Sequence, residues 1–176
     1  MKIRKHHVEN FNHWMNNFDL KYRSIGDGCN SIVYKNKDRS SVIKLTNDEA
    51  YLLYLYEAIL KYKNIHFPKI YEIVNIVENN KCHETVIVME RLYNRKNINN
   101  KTTKKIIKVS YEKEKDLELS TDEDYPDSFN ECAKILNKLQ KKYHLLSYDI
   151  DLTAHQNIMF RKNGELVIID PFYWMG

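Results

Sequence analysis

The chain has 176 residues with 28 Lys and Arg against 24 Asp and Glu, a net charge of +4; this is length for one domain with its own core, and too little charge to imply nucleic acid. Its three cysteines, Cys29, Cys82 and Cys132, form no C-x-x-C pair and are odd in number, so neither a disulfide framework nor a zinc site is indicated and reduced cytosolic thiols are expected. No run of eighteen apolar residues occurs, and no apolar segment follows the basic start MKIRKHHVENFNHW, so neither a membrane span nor a cleavable signal is expected.

Val8, Phe11, Trp14, Met15 and Phe18 recur at helical spacing, which predicts an amphipathic N-terminal helix within 1–22. KYRSIGDGCNSIVYKNKDRSSVIKLT then reads as an antiparallel meander, because Ile32-Val33-Tyr34 and Val42-Ile43 are β-branched or aromatic runs bounded by turn formers. Thr46 and Glu49 match a capping box, predicting a helix from about 47 to 63. Strands are expected over 69–77 and 84–90, around the polar run ENNKCHE.

Between 94 and 127 a basic block, NRKNINNKTTKKIIK, precedes an acidic one, EKEKDLELSTDEDYPD; such opposed blocks are typically solvated. Ser128 and Glu131 give a second capping box, and Phe129, Cys132, Leu136, Leu139 and Tyr143 line one face of a helix ending near His144. An irregular loop and a hairpin close the chain, with NIMFR and LVIID as strands around Lys162-Asn-Gly164.

Four places bear chemistry. Gly26-Asp-Gly28-Cys-Asn-Ser31-Ile-Val33 is a turn where backbone amides can approach phosphate oxygens closely, although such turns also occur in ordinary hairpins. Lys44 lies in an apolar strand just downstream; it is either a snorkelling surface residue or a point charge for nucleotide phosphates. A carboxylate must then hold it. Glu57, two turns into the next helix, fits the distance better than Glu49, which the cap already uses. Last come the acids and amide of the C-terminal stretch, Asp149, Asp151, Asn157 and Asp170, which suit a magnesium–phosphate centre.

In this order the residues resemble the protein-kinase-like superfamily from about 23 onward. Gly26, Gly28, Val33 and Tyr34 are similar to the loop G-x-G-x-x-G-x-V, with Ser31 in place of the third glycine; Val42-Ile43-Lys44 resembles V-A-I-K. His66-Phe-Pro68-Lys-Ile70 looks like the loop behind the glutamate helix, and Val86 to Leu92 like a hinge strand. By that likeness Met89 is the gatekeeper and the backbones of Glu90 and Leu92 hold adenine. Asp151-Leu152, Asn157 and Asp170-Pro171-Phe172 resemble H-R-D-L-x-x-x-N and D-F-G, which makes Asp151 the base for the substrate hydroxyl and Asn157 and Asp170 the magnesium ligands.

The likeness implies an α+β, minimal bilobal protein-kinase-like fold: an antiparallel N-lobe sheet with one helix over 23–92, a charged insert over 93–127, and a truncated helical C-lobe over 128–176. It also departs from the family. Asp151 lies six residues before Asn157 where five is usual, which leaves Asp149 as a second choice of base, and Asp149-Ile150 replaces His-Arg. Six residues follow Asp170, so no activation loop or A-P-E helix platform is expected. This resembles the minimal kinases of bacteriophages and of injected bacterial effectors, the HopBF and OspG types.

The implied function is an ATP- and magnesium-dependent protein kinase, directed to Ser or Thr rather than Tyr of a host protein; chaperones and ubiquitin-system proteins are the substrates of the similar types. The expected protein is a monomer that contacts neither membrane nor nucleic acid. It would be cytoplasmic, or secreted into a host cell without a cleavable signal, with Lys101, Lys104 and Lys105 of the insert as a docking element. Two alternatives stand: a pseudokinase that binds partners through its surface, and a small-molecule phosphotransferase of the aminoglycoside kind, which the absent acidic extension disfavours.

Overall fold

The β-branched runs of the first half of the chain form one sheet. The computed structural model describes residues 4–8, 24–28, 30–36, 40–78, 81–94, 125–143, 148–150 and 157–174, within an α+β chain of two units: Met1–Asp48 with Lys69–Arg91, and Glu49–Pro68 with Leu92–Gly176. In the first unit the sheet comprises β1 (Arg4–Val8), β2 (Ser24–Gly28), β3 (Ser31–Lys35), β4 (Ser41–Thr46), β5 (Ile70–Glu78) and β6 (Lys81–Glu90), in the order β1-β5-β6-β4-β3-β2. Strands β2 to β6 pair antiparallel; β1 lies parallel to β5 at one edge.

Strand β1 corrects the expected N-terminal helix over its first residues. Arg-Lys-His-His-Val has no apolar stripe to bury as a helix, and a ladder to Glu72–Ile76 satisfies its backbone instead. Phe11, Trp14, Met15 and Phe18 lie outside the described residues. Strands β5 and β6 pair out to Glu78 and Lys81, further than the polar run between them predicts.

All six residues of β4 are buried, so the sheet is covered on both faces at its centre. On one face Ile43, Leu45, Val74, Ile76, Val86 and Val88 form an apolar cluster, with Tyr34 and Tyr71 against it. Fully burying each such side chain stabilises the fold by roughly 1.5–3 kcal/mol, which makes this cluster the anchor of the sheet.

The second unit begins with α1 (Glu49–Tyr54), which runs into a π-helical turn at Leu55–Ile59, where the Leu60 amide donates to the Leu55 carbonyl at 3.0 Å. This helix is shorter than expected, and it belongs with the second unit rather than with the sheet. The reason is its apolar face: Tyr51, Tyr54, Leu55 and Ala58 are wholly buried, with the Tyr54 ring edge-on to Phe67 and Phe172. Helix α2 (Asp127–Tyr143) buries Phe129, Cys132, Leu136 and Leu139, four of the five positions its spacing predicts for the core face.

Its N-terminus differs from the predicted capping box. The helix starts a residue before Ser128, with the Phe129 and Asn130 amides donating to the Pro126 carbonyl at 2.8 and 3.1 Å. Ser128 and Glu131 are diverted to the loop after α1. Ser128 Oγ meets His66 Nε2 at 3.1 Å, and the Asn64 amide donates to the Ser128 carbonyl at 2.8 Å and to Glu131 Oε2 at 3.2 Å.

The remaining elements are β7 (Tyr148–Ile150), β8 (Ile158–Phe160), β9 (Leu166–Ile168) and β10 (Phe172–Trp174). Strands β8 and β9 form the expected hairpin, turned at Gly164, whose φ of 86° is a conformation that only glycine adopts without strain. Strands β7 and β10 form a second antiparallel pair that replaces part of the expected irregular loop. Arg161 donates to the carbonyls of Ile65 and Phe67, fastening the loop after α1 to the hairpin.

Candidate functional site

The expected residues fall into two groups, one in each unit. In the first unit the pairing register sorts them by face. Gly26 pairs with Val33, Val33 with Lys44, Lys44 with Ile87, and Val42 with Met89. Directly paired residues point to the same side of a sheet, and alternate residues along a strand do likewise. Val33, Lys44 and Met89 therefore share one face, opposite the apolar cluster.

Lys44 is 5% exposed, which rules out a snorkelling surface lysine and leaves a buried cation that its surroundings must compensate. Met89 is also buried, paired directly with Val42.

The glycine turn is held from below by Thr46. Its hydroxyl donates to the Asn30 carbonyl at 3.1 Å, so in the 2.7 Å contact with Ser31 the Ser31 hydroxyl is the donor. The Asp48 amide also donates to Thr46 Oγ1, at 3.1 Å, closing a local turn just before α1. Ser31, where the third glycine was expected, is a tether of the turn.

Gly26 is exposed, and a Cβ built on it meets only Val33 Cβ, at 3.9 Å. Neither internal crowding nor an unusual φ requires glycine at this position. Gly28 pairs directly with Ser31 across the turn.

At the end of β6, the Glu90 amide donates to the Lys69 carbonyl and Glu90 Oε1 accepts from the Lys69 amide, both at 2.9 Å. The Glu90 N–H is therefore committed to the sheet, which narrows the expected adenine contact at this residue. Leu92 is buried in the second unit, ahead of Tyr93, which exchanges hydrogen bonds of 2.8 and 3.0 Å with Phe160.

The second group is built around the strand that carries Asp170. The Ile169 amide donates to the Asn157 carbonyl at 2.8 Å, and Ile150 pairs with Phe172. Ile150 and Asn157 thus both pair with this strand, on the two sides of Asp170, while residues 151–156 between them, Asp151 included, lie outside the described residues. Asp149 sits in β7 opposite Tyr173.

Asn157 and Asp170 stand at the same end of the hairpin, both half-buried. An amide oxygen and a carboxylate are the hard oxygen donors that magnesium prefers. Asp170 has other polar interactions in the structure, and its Oδ1 is buried and accepts no hydrogen bond from the described residues. The donor set fits a small divalent cation.

Glu57 has a different occupation from the one expected. Its carboxylate accepts from Lys61 Nζ at 2.6 Å and from Lys142 Nζ at 3.1 Å, and these hydrogen bonds hold its carboxyl down at about 2. Glu49 is exposed in the first turn of α1.

Sequence reasoning missed two tyrosines. Tyr51 and Tyr54 are fully buried, and Tyr54 Oη donates to the Ile168 carbonyl at 2.8 Å. Burial, and secondarily the Asp170 charge, pushes the Tyr51 hydroxyl far above its ordinary range; Tyr54 rises for the same first reason, with Cys132, Tyr51 and Asp170 adding to it. Their i, i+3 spacing marks a buried helix face, but nothing in it distinguishes a tyrosine that touches a site from one that fills a core.

No protein-family model matches the chain, and no curated protein matches it significantly.

Proposed function

We propose that the protein is a minimal ATP- and magnesium-dependent protein kinase that transfers the γ-phosphoryl group to a Ser or Thr hydroxyl of a host protein. One observation supports this reading: Ile150 and Asn157, which flank Asp151 in the sequence, both pair with the strand that carries Asp170. The buried Lys44 on the same sheet face as Val33 and Met89 supports it.

The roles follow from chemistry. Exposed Gly26 lets phosphate oxygens approach the backbone of the turn, and Thr46 keeps that turn in shape from beneath. Lys44 binds the α/β-phosphates as a point charge, and Val33 and Met89 offer apolar surface to the base. Asn157 and Asp170 hold magnesium, which when bound neutralises phosphate charge and orients the leaving group. The acceptor hydroxyl gives its proton to Asp151 as its oxygen bonds to the γ-phosphorus and the bond to ADP breaks, so the products are phosphoprotein and ADP. Positioning and charge neutralisation supply most of the rate.

A nucleotide-binding module without transfer is the second reading. It is favoured by the engagement of Glu57 with Lys61 and Lys142, since Glu57 was the expected holder of Lys44.

The acceptor decides between these readings. With γ-labelled ATP and magnesium, label should enter proteins of a host lysate and not amino-sugars. Nucleotide binding without label in any acceptor would leave the binding module, and label in amino-sugars alone would indicate a small-molecule phosphotransferase.

A further inference from the structure

We infer that Tyr54 is a positioning residue for Asp170: a single side chain on α1 holds the strand before the aspartate, at Ile168, and after it, at Phe172. This rests on the reading of Asp170 as a magnesium ligand. The Tyr54 hydroxyl donates to the Ile168 carbonyl at 2.8 Å, and the ring meets Phe172 edge-to-face at 6.1 Å between centroids and 71° between planes. A tyrosine buried to 0% exposure must place its O–H on a partner, and here the partner is two residues before Asp170.

The other contacts of the strand make this grip matter. The Ile168 amide donates to the His66 carbonyl at 2.9 Å, and the Ile169 amide donates to the Asn157 carbonyl at 2.8 Å. Residues 168 and 169 are thus held by the loop after α1 and by the hairpin, and Tyr54 adds the contact that continues past Asp170 to Phe172. A metal ligand displaced by a fraction of an ångström loses affinity, because a small cation demands near-ideal geometry.

A tyrosine that only fills the core lowers stability when its hydroxyl is removed, and does nothing else. A positioning tyrosine also changes what magnesium adds to nucleotide binding. The test is calorimetry of a non-hydrolysable ATP analogue with and without magnesium, on the wild type and on Tyr54→Phe, Asp170→Ala and Leu139→Val, the last a core change in α2 that lowers stability alone.

Tyr54→Phe should reduce the magnesium-dependent gain in affinity about fivefold, in line with one lost buried hydrogen bond, while metal-free binding stays at the wild-type value. Leu139→Val should keep the gain. If Tyr54→Phe does not fold, Phe172→Leu, which leaves the hydroxyl bond in place, carries the test and should also reduce the gain.

An undiminished gain in the folded variant, or an equal loss in Leu139→Val, overturns the inference and leaves the role of Asp170 standing. A wild type with no magnesium-dependent gain, or a gain that survives Asp170→Ala, removes that role and the inference with it.

Discussion

The Ile169 amide donates to the Asn157 carbonyl at 2.8 Å, and this bond sets Asn157 beside the strand that carries Asp170. The bond is made by backbone, so the Asn157 side chain can be changed without breaking it. Asn157→Ala should leave the melting temperature within a few degrees of wild type and reduce phosphoryl transfer roughly 10²–10³-fold, the usual cost of removing a group aimed at developing charge. Thermal melting and a transfer assay with excess magnesium check the two halves; transfer within threefold of wild type would exclude Asn157 from the metal centre.

Gly26 has room for a side chain inside the protein but, on the proposed reading, none beside a phosphate. Gly26→Ala should therefore fold with unchanged or slightly higher stability, since alanine loses less chain entropy in an extended strand. Its affinity for ATP should fall about tenfold, equivalent to about 1.4 kcal/mol. Equal affinity in a binding titration would show that the turn does not contact phosphate.

Glu57 lies on the surface with Lys61 and Lys142, its side chain 20% exposed. Exposed pairs contribute less than about 1 kcal/mol, so Glu57→Gln should destabilise the protein only slightly and leave transfer within about twofold. The sign of its pH dependence is fixed. Its carboxyl is lowered from 4.5 to about 2, so its contribution is present above pH 4.5 and is lost as the pH falls toward 2. Glu57→Gln should flatten that part of an acid denaturation curve, and a large loss of transfer in this variant would instead restore Glu57 as the partner of Lys44.

His66 is buried with Nδ1 2.8 Å from the Leu166 carbonyl, which can only accept, so the neutral ring carries its proton on Nδ1 and Nε2 accepts from Ser128. Burial pushes its pKa below 6.5; the Leu166 carbonyl opposes this, the Arg161 charge adds to it, and Glu165 opposes it. The unfolded chain thus takes up this proton first. Stability from His66 is fully present above pH 6.5 and falls with acidification down to the folded pKa. The melting temperature of the wild type should drop between pH 6.5 and 5 more steeply than that of His66→Gln, which starts lower at pH 7.5. Parallel curves would contradict the buried neutral imidazole.

The strands of the meander and the hairpin were legible because β-branched and aromatic residues stand between turn formers, as in Ser41–Thr46 and around Gly164. That Asn157 and Asp170 stand at one end of the hairpin was legible for a related reason: hairpin spacing is a local property. What stayed hidden depends on partners distant in sequence. Arg4–Val8 carries no strand pattern and becomes a strand only because Glu72–Ile76 offers it a ladder. Ser128 and Glu131 match a local capping box, but His66 and Asn64, far back in the chain, claim their side chains. Strands β7 and β10, three residues each, are too short for periodicity to show, and Glu57 binds Lys142, far along the chain, as well as its helix neighbour Lys61.

Transfer of labelled γ-phosphate from ATP by the wild type, Lys44→Ala and Asp170→Ala, each confirmed to be folded, tests the central claim most directly. The account predicts magnesium-dependent transfer to protein by the wild type and a loss of at least roughly 10²-fold in either variant. Transfer that persists undiminished in both variants, or that needs no magnesium, would contradict it.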